Sequence, residues 1–279
     1  MRERMPRTVA RSAKNRRDLE PAVAQFDWHR LWPAVSLATL LIVFTIWWTL
    51  TSGLKLIAPL YFPRPESVAG RLADLRTVIV GDALWTLGRV VVSWLLGSAM
   101  GVTIGLLMIR SRLAFFVLTP LVEGLRPVPP IALIPFVILW FGIGETGKIF
   151  LAALGCFMVM AINTIVAARN VPPVYLRAAR SLGASENTVY RTVILPDIVP
   201  QLVAGLRIGA ALAFAVTIAA EFMGAEAGIG ALIMLASRTL STDVVLLGTI
   251  IIGLEAFGLE QLIRVISDRA TAWAERSHD

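Results

Sequence analysis

Residues 142–148 read GIGETGK, one residue short of a phosphate-binding loop. In such a loop backbone N–H groups cradle phosphates, the lysine reaches them, and a following Ser or Thr holds Mg²⁺. A strand-like run precedes this stretch and a helix-like run follows it, but Ile149 stands where the hydroxyl should be. No downstream strand ending in Asp offers a second metal ligand, so a turn between two helices is the better reading. Cys156 is the single cysteine, and His29 and His278 lie near opposite ends, so neither a Cys-cluster nor a His-based metal site is expected. Glu255 is of another kind, because it falls inside a long apolar run. An isolated carboxylate at mid-bilayer costs about 2.5–3.5 kcal/mol even on a lenient scale, so it should face protein or a cavity. Glu260 has a simpler account, since Arg264 follows it at i, i+4.

The elements that carry these residues are apolar helices. Of the 279 residues 57% are hydrophobic and 16% charged, and the mean hydropathy is +0.74. A soluble domain of this length cannot hide so much apolar surface. A spanning helix needs roughly 20 mostly apolar residues. Runs of that kind fall at residues 31–50, 83–109, 113–141, 149–168, 199–222 and 244–266. The predicted fold is therefore an all-α membrane bundle of about six spans. Residues 51–82 read as an external loop with a short surface helix over 66–76. In the second run Gly97, Gly101 and Gly105 repeat at i, i+4, a pattern that admits a second helix closely. The third run contains Pro120, Pro127, Pro129, Pro130 and Pro135, so a broken helix is expected there. A glycine-rich stretch after residue 222 suggests a short re-entrant or interfacial helix. Trp47, Trp48, Trp85 and Trp140 read as interfacial belt residues.

The net charge of +7 could mean a nucleic-acid partner. The basic residues instead gather in the tails and between apolar runs, which points to a membrane surface. Arg110, Arg112, Arg169, Arg177, Arg180, Arg191, Arg264, Arg269 and Arg276 share a side with the N-terminal tail and mark it as cytoplasmic. Two regions are expected: a basic cytoplasmic tail over 1–30 and a transmembrane domain over 31–279. Both termini are then inside, as is the polar segment 169–196. In that segment Pro172 and Pro173 suit a first helical turn with Asn170 as cap. Val174, Ala178 and Leu182 recur at helical spacing, Gly183 suits a left-handed turn, Ser185 and Glu186 open a second short helix, and Pro196 ends it. Such a helix pair fits an amphipathic loop on lipid headgroups as well as a docking element.

Arg177, Ala178 and Ala179, then Gly183, then Ile194, Leu195 and Pro196 resemble the EAA loop of ABC-importer permeases. Arg177 departs from the glutamate usual there. The stretches LRPVPPIALIPFVILWFGIGETGKI and GLRIGAALAFAVTIAAEFMGAEAGIGALI, with PRPES after the first run, resemble the nitrate/sulfonate/taurine-type branch of that family. The resemblance implies a type I importer permease in a bacterial inner membrane. It also implies a homodimer, two copies of an ABC ATPase that bind ATP and Mg²⁺, and an extracytoplasmic substrate-binding protein. The loop would dock on the ATPase. This chain would hold no cofactor, no metal and no catalytic residue. Candidates for the translocation path are Asn163, Glu221 and Glu255. Asn163 and its neighbour Thr164 could equally bond adjacent helices. Glu221 reads first as an interfacial carboxylate reaching water, with a contact to substrate or binding protein as the functional alternative. A secondary transporter coupled through Glu255 is the competing function. A membrane-embedded enzyme lacks the Ser/His pair or acid–histidine cluster it would need.

Overall fold

The structure, a computed structural model, describes residues 28–275 and the side chains of residues 33–268. Residues 1–27 of the expected basic tail lie outside the described residues. Among the described residues every regular element is helical.

A first unit ends at Leu56. Its helix α1 (Trp28–Trp48) runs on through a π-helical turn at Thr49–Gly53. Thr39, Thr45 and Thr49 each return their hydroxyl to the carbonyl four residues back, so they add no uncompensated donor to this apolar rod.

The second unit begins at Ile57. It holds α2 (Pro65–Asp74), α3 (Arg76–Arg110), α4 (Arg112–Leu125), a 3₁₀ turn at Pro130–Leu133, α5 (Ile134–Phe141), α6 (Glu145–Asn170), α7 (Pro173–Ser181), α8 (Glu186–Val189), a π-helical turn at Tyr190–Ile194, α9 (Leu195–Phe222), α10 (Ile229–Arg238) and α11 (Thr242–Glu275). By length and composition five helices can cross a membrane, and α4 with the 3₁₀ turn and α5, bent by 87°, is either a sixth, broken span or a re-entrant pair. The bend sits at the Pro127–Pro130 cluster, as the missing N–H groups require. The second span starts earlier than expected, at Arg76, because no helix breaker separates the end of α2 from the apolar run.

Helices α3 and α6 form the core pair. A Cβ on Gly101 would lie 2.6 Å from the Phe157 carbonyl oxygen and 2.7 Å from the Met160 Cβ, and one on Gly105 would lie 2.6 Å from the Thr164 Cβ. One on Gly97 would overlap the Ala153 carbonyl. The small-residue stripe therefore lets the two backbones touch, and dispersion between them replaces side-chain interdigitation. Helix α9 packs across this pair: Gly205 rests on Met160 and Asn163, and the Trp94 indole N–H donates to the Leu206 carbonyl at 2.9 Å. Helix α11 closes the bundle, with Leu259 and Ile263 against Val90, Ala210 and Phe214.

The run before Gly142 is the helix α5, the second half of the expected broken helix, so the resemblance to a strand-led phosphate loop ends there. One local expectation fails: Pro196 does not end a helix, for α8, the π turn and α9 are continuous. The π turn lies just ahead of Pro196, which sits in the first turn of α9 where a missing N–H costs least, and Pro200 lies inside the same helix.

Candidate functional site

The loop between α6 and α9 is built as a rigid elbow. Asn170 is the last residue of α6 and caps nothing; α7 starts at Pro173, where the absent N–H costs least. At its far end the Ala184 N–H donates to the Ala179 carbonyl at 3.1 Å and the Gly183 N–H to the Arg180 carbonyl at 3.0 Å. Gly183 has φ +80°, and this pair of bonds with a left-handed glycine is the Schellman closure. The Ser185 hydroxyl then accepts from the Thr188 N–H at 3.2 Å and starts α8. Arg180 and Glu186 bridge the elbow at 3.0 Å, an exposed pair worth little by itself.

The base of this elbow is buried and its tip is bare. Leu176, Ile194 and Leu195 pack with Ala167, Val171 and Ile198. Pro196 sits in the first turn of α9. In contrast Val174 and Tyr175 are more than half exposed and Leu182 is 88% exposed. Arg177 and Ala178 are exposed and Ala179 half-buried; Arg177 has no ion pair among the described residues. This apolar stripe has no cover from the other described residues, a feature that suits a surface for docking.

The path candidates separate in the structure. Asn163 donates to the Val159 carbonyl of its own helix at 2.9 Å and packs against Gly205, so it serves the α6–α9 crossing. Thr164 is buried at the α3–α6 contact. Glu255 is half-buried on α11, and its Oε2 is buried without a hydrogen-bond partner among the described residues. Arg264 pairs with Asp268 at 3.9 Å and not with Glu260. Trp85 and Trp140 are well exposed, as lipid-facing or interfacial rings would be.

Glu221 does not reach water. It is 1% exposed and lies in an ion cluster that joins α3, α6, α9 and α10. Arg89, itself 4% exposed, donates through Nη1 to Glu221 at 2.5 Å and to the Ala227 carbonyl at 2.7 Å. Its Nε and Nη2 grip Glu145 as a fork at 2.5 and 2.8 Å. Lys148 reaches the same carboxylate at 3.0 Å. Two cations thus face two carboxylates, as burial demands. The cluster also satisfies the start of α10. The Gly228 N–H donates to Asp82, the Ile229 N–H to Thr86 and the Gly230 N–H to Glu221, at 2.9, 2.9 and 2.8 Å. The glycines are there for space: a Cβ on Gly228 would lie 2.6 Å from both Arg89 and Glu221. Lys148, the lysine of the phosphate-loop-like run, is therefore buried against Glu145 near the first turn of α6.

Arg89, the centre of this cluster, was not among the residues singled out from the sequence. Its partners lie 56 and 132 positions away. A usable signal existed, because an arginine amid an apolar span must face protein and a carboxylate.

The bundle and its elbow define a membrane transport subunit of the importer type, and comparisons with known proteins agree. Residues 96–271 match the family described as binding-protein-dependent transport system inner membrane component. The chain belongs to that family and is a multi-pass inner-membrane permease of an ABC importer. It is 37% identical to the taurine transport system permease protein TauC of Escherichia coli (strain K12), over 87% of this chain and 92% of that one. It is 29% identical to the aliphatic sulfonates transport permease protein SsuC proposed in Bacillus subtilis (strain 168), over 96% of this chain and 95% of that one. The fold resembles a chain of the inward-facing MetNI methionine ABC transporter, with TM-score 0.56, 22% identity, and cover of 69% of this chain and 98% of that one. It also resembles a chain of an amino acid ABC transporter crystallised with histidines, with TM-score 0.62, 17% identity, and cover of 71% and 96%.

Proposed function

We propose that this permease carries a small sulfonate, taurine or an alkanesulfonate, delivered by an extracytoplasmic binding protein. Two copies form the path, and two ATPase subunits bind the ATP and Mg²⁺ that power it. The chain itself contributes no catalytic group. Both termini and the α7–α8 elbow lie on the cytoplasmic side. The observation that carries the coupling role is the bare apolar tip on a buried, Schellman-closed base. Arg177, Ala178 and Ala179 form the docking helix, Gly183 its turn, and Ile194, Leu195 and Pro196 the joint to α9. Arg177 meets a carboxylate on the ATPase, the reverse of the usual polarity. The cargo class is supported by the similarity to relatives named for taurine and aliphatic sulfonates. Glu255 remains the path candidate, a reading supported by one of its oxygens being buried without a partner among the described residues. Asn163 and Glu221 are engaged locally.

The test is uptake into proteoliposomes holding the permease, its ATPase and its binding protein. ATP-dependent accumulation of taurine or ethanesulfonate is expected. Uptake driven by an ion gradient without ATP would replace this reading with a secondary transporter coupled through Glu255.

A further inference from the structure

An anionic cargo needs positive charge along its way, and burial sorts the cations of this chain. Among the described residues the buried cations are Arg89 and Lys148, 4% and 7% exposed. They stand together in the ion cluster, at the end of the bundle opposite the α7–α8 elbow. Their two carboxylate partners differ in burial. The Glu221 side chain is wholly buried, whereas the Glu145 side chain is 46% exposed. Of the four ions, therefore, only Glu145 has a large share of its surface in the open. Its inner side is fully used: Arg89 donates to its two oxygens from Nε and Nη2, and Lys148 donates from Nζ. Glu145 is the first residue of α6, and the turn ahead of it is unpacked. Gly142 has φ +70°, and a Cβ on Gly142 or Gly144 would meet nothing within 4 Å. The well-exposed Trp85 ring lies 5.6 Å from the Arg89 guanidinium.

The charges of the cluster cancel while Glu145 is in place. With Glu145 turned outward, Arg89 keeps Glu221, and Lys148 leaves one positive charge unmatched, which is the charge that one sulfonate neutralises. A sulfonate presents oxygens in pairs, as the carboxylate does, to the same guanidinium fork. The cleft beside Lys148, lined also by Gly144, Gly147, Leu151 and Met223, holds about 20 Å³, too little for a sulfonate beside the carboxylate. Ligand and Glu145 are alternatives for one fork. We propose that Arg89 and Lys148 form a recognition site for the sulfonate group of the cargo, and that Glu145 is the displaceable carboxylate that holds the site until a sulfonate replaces it. This rests on the sulfonate reading under Proposed function and adds the residues that recognise the head group. Glu221 stays on Arg89 in both states and keeps the guanidinium aimed. Occupation of the fork releases Glu145 and, with it, the start of α6.

In the experiment the purified full-length chain in neutral phosphatidylcholine nanodiscs is titrated with ethanesulfonate at constant ionic strength. Binding is read from tryptophan fluorescence, with Trp85→Phe to identify the reporting ring. Saturable binding of ethanesulfonate is expected, and none of chloride or ethylammonium. Glu145→Ala removes the competitor and should tighten ethanesulfonate about tenfold or more, whereas Lys148→Met removes a charged donor and should weaken it about tenfold. Lys148→Met leaves Arg89 with both carboxylates and keeps the measurement readable if Glu145→Ala does not fold. Binding that is unchanged or weaker in Glu145→Ala, unchanged in Lys148→Met, matched by chloride, or absent from both the wild type and Glu145→Ala overturns the site. Uptake plays no part in these readings. Expected binding in a chain that transports no sulfonate removes the cargo reading and leaves the site, while sulfonate uptake without tightening in Glu145→Ala removes the site alone.

Discussion

Glu221→Gln keeps the shape of the side chain and removes its charge, and the geometry around it leaves the amide no good orientation. Oε1 of Glu221 accepts from Arg89, and Oε2 accepts from the Gly230 N–H. A glutamine must put its NH₂ where one of these oxygens stood, so a donor faces either the guanidinium or the start of α10. The Thr86 hydroxyl, 3.0 Å from both oxygens, can turn and accept one amide hydrogen, but the NH₂ would still face the other donor at its position, the guanidinium or the Gly230 N–H. Removing one partner of a buried ion pair costs about 3–5 kcal/mol. Arg89 keeps its fork on Glu145, so the expected loss is near the lower end, about 3 kcal/mol. The assay is unfolding in mixed micelles on titration with SDS, followed by tryptophan fluorescence. Glu221→Met with Arg89→Met removes both charges and should be less damaging than the two single losses summed, with a coupling energy above about 1 kcal/mol. A Glu221→Gln loss under about 0.5 kcal/mol, the range of ordinary surface changes, would refute the view that the cluster is a tightly satisfied buried pair.

Gly101→Ala puts a Cβ within 2.6 Å of the Phe157 oxygen and should cost about 1–3 kcal/mol by the same unfolding assay. Gly88→Ala on the same helix meets nothing within 4 Å and should be neutral or stabilising. Gly183→Val meets nothing either but must hold φ +80°; a strain of about 1–2 kcal/mol should misaim α7, so uptake or ATPase association falls while the bundle stays folded, and normal uptake would remove Gly183 from the coupling elbow. Arg177→Glu should impair coupling although it restores the residue usual at that position; unchanged uptake would make Arg177 an ordinary surface residue. Glu255→Gln should lower uptake of taurine, which carries an ammonium group, by about tenfold or more relative to ethanesulfonate, which has none; equal effects on both would take Glu255 out of the path.

The parts of this protein legible in the sequence are those set by short-range rules. The i, i+4 glycines of α3 announced a backbone contact, and the Pro127–Pro130 cluster announced a break. Leu182 followed by Gly183 and Ser185 announced the elbow, because caps and left-handed turns depend on residues within one turn of each other. The ion cluster was illegible for the opposite reason: Arg89, Glu145 and Glu221 meet only after three helices have packed. Glu221 looked like an end-of-span carboxylate, since nothing nearby in sequence shows that α10 folds back over it. Pro196 misled because a proline's effect depends on the ladder ahead of it, and a π turn leaves no clear mark in composition.

The continuity of α8, the π turn and α9 has a mechanical consequence. From Glu186 to Phe222 the chain is one helical rod of 37 residues, roughly 55 Å long at the usual rise. The α7–α8 elbow is attached at one end, and Glu221, locked to Arg89, lies at the other. If the elbow is the ATPase dock proposed above, a tilt imposed there would be carried by this lever across the bundle. The π turn, Pro196 and Pro200 weaken the ladder near that end, and the buried ion cluster is the fixed point against which the far end would turn.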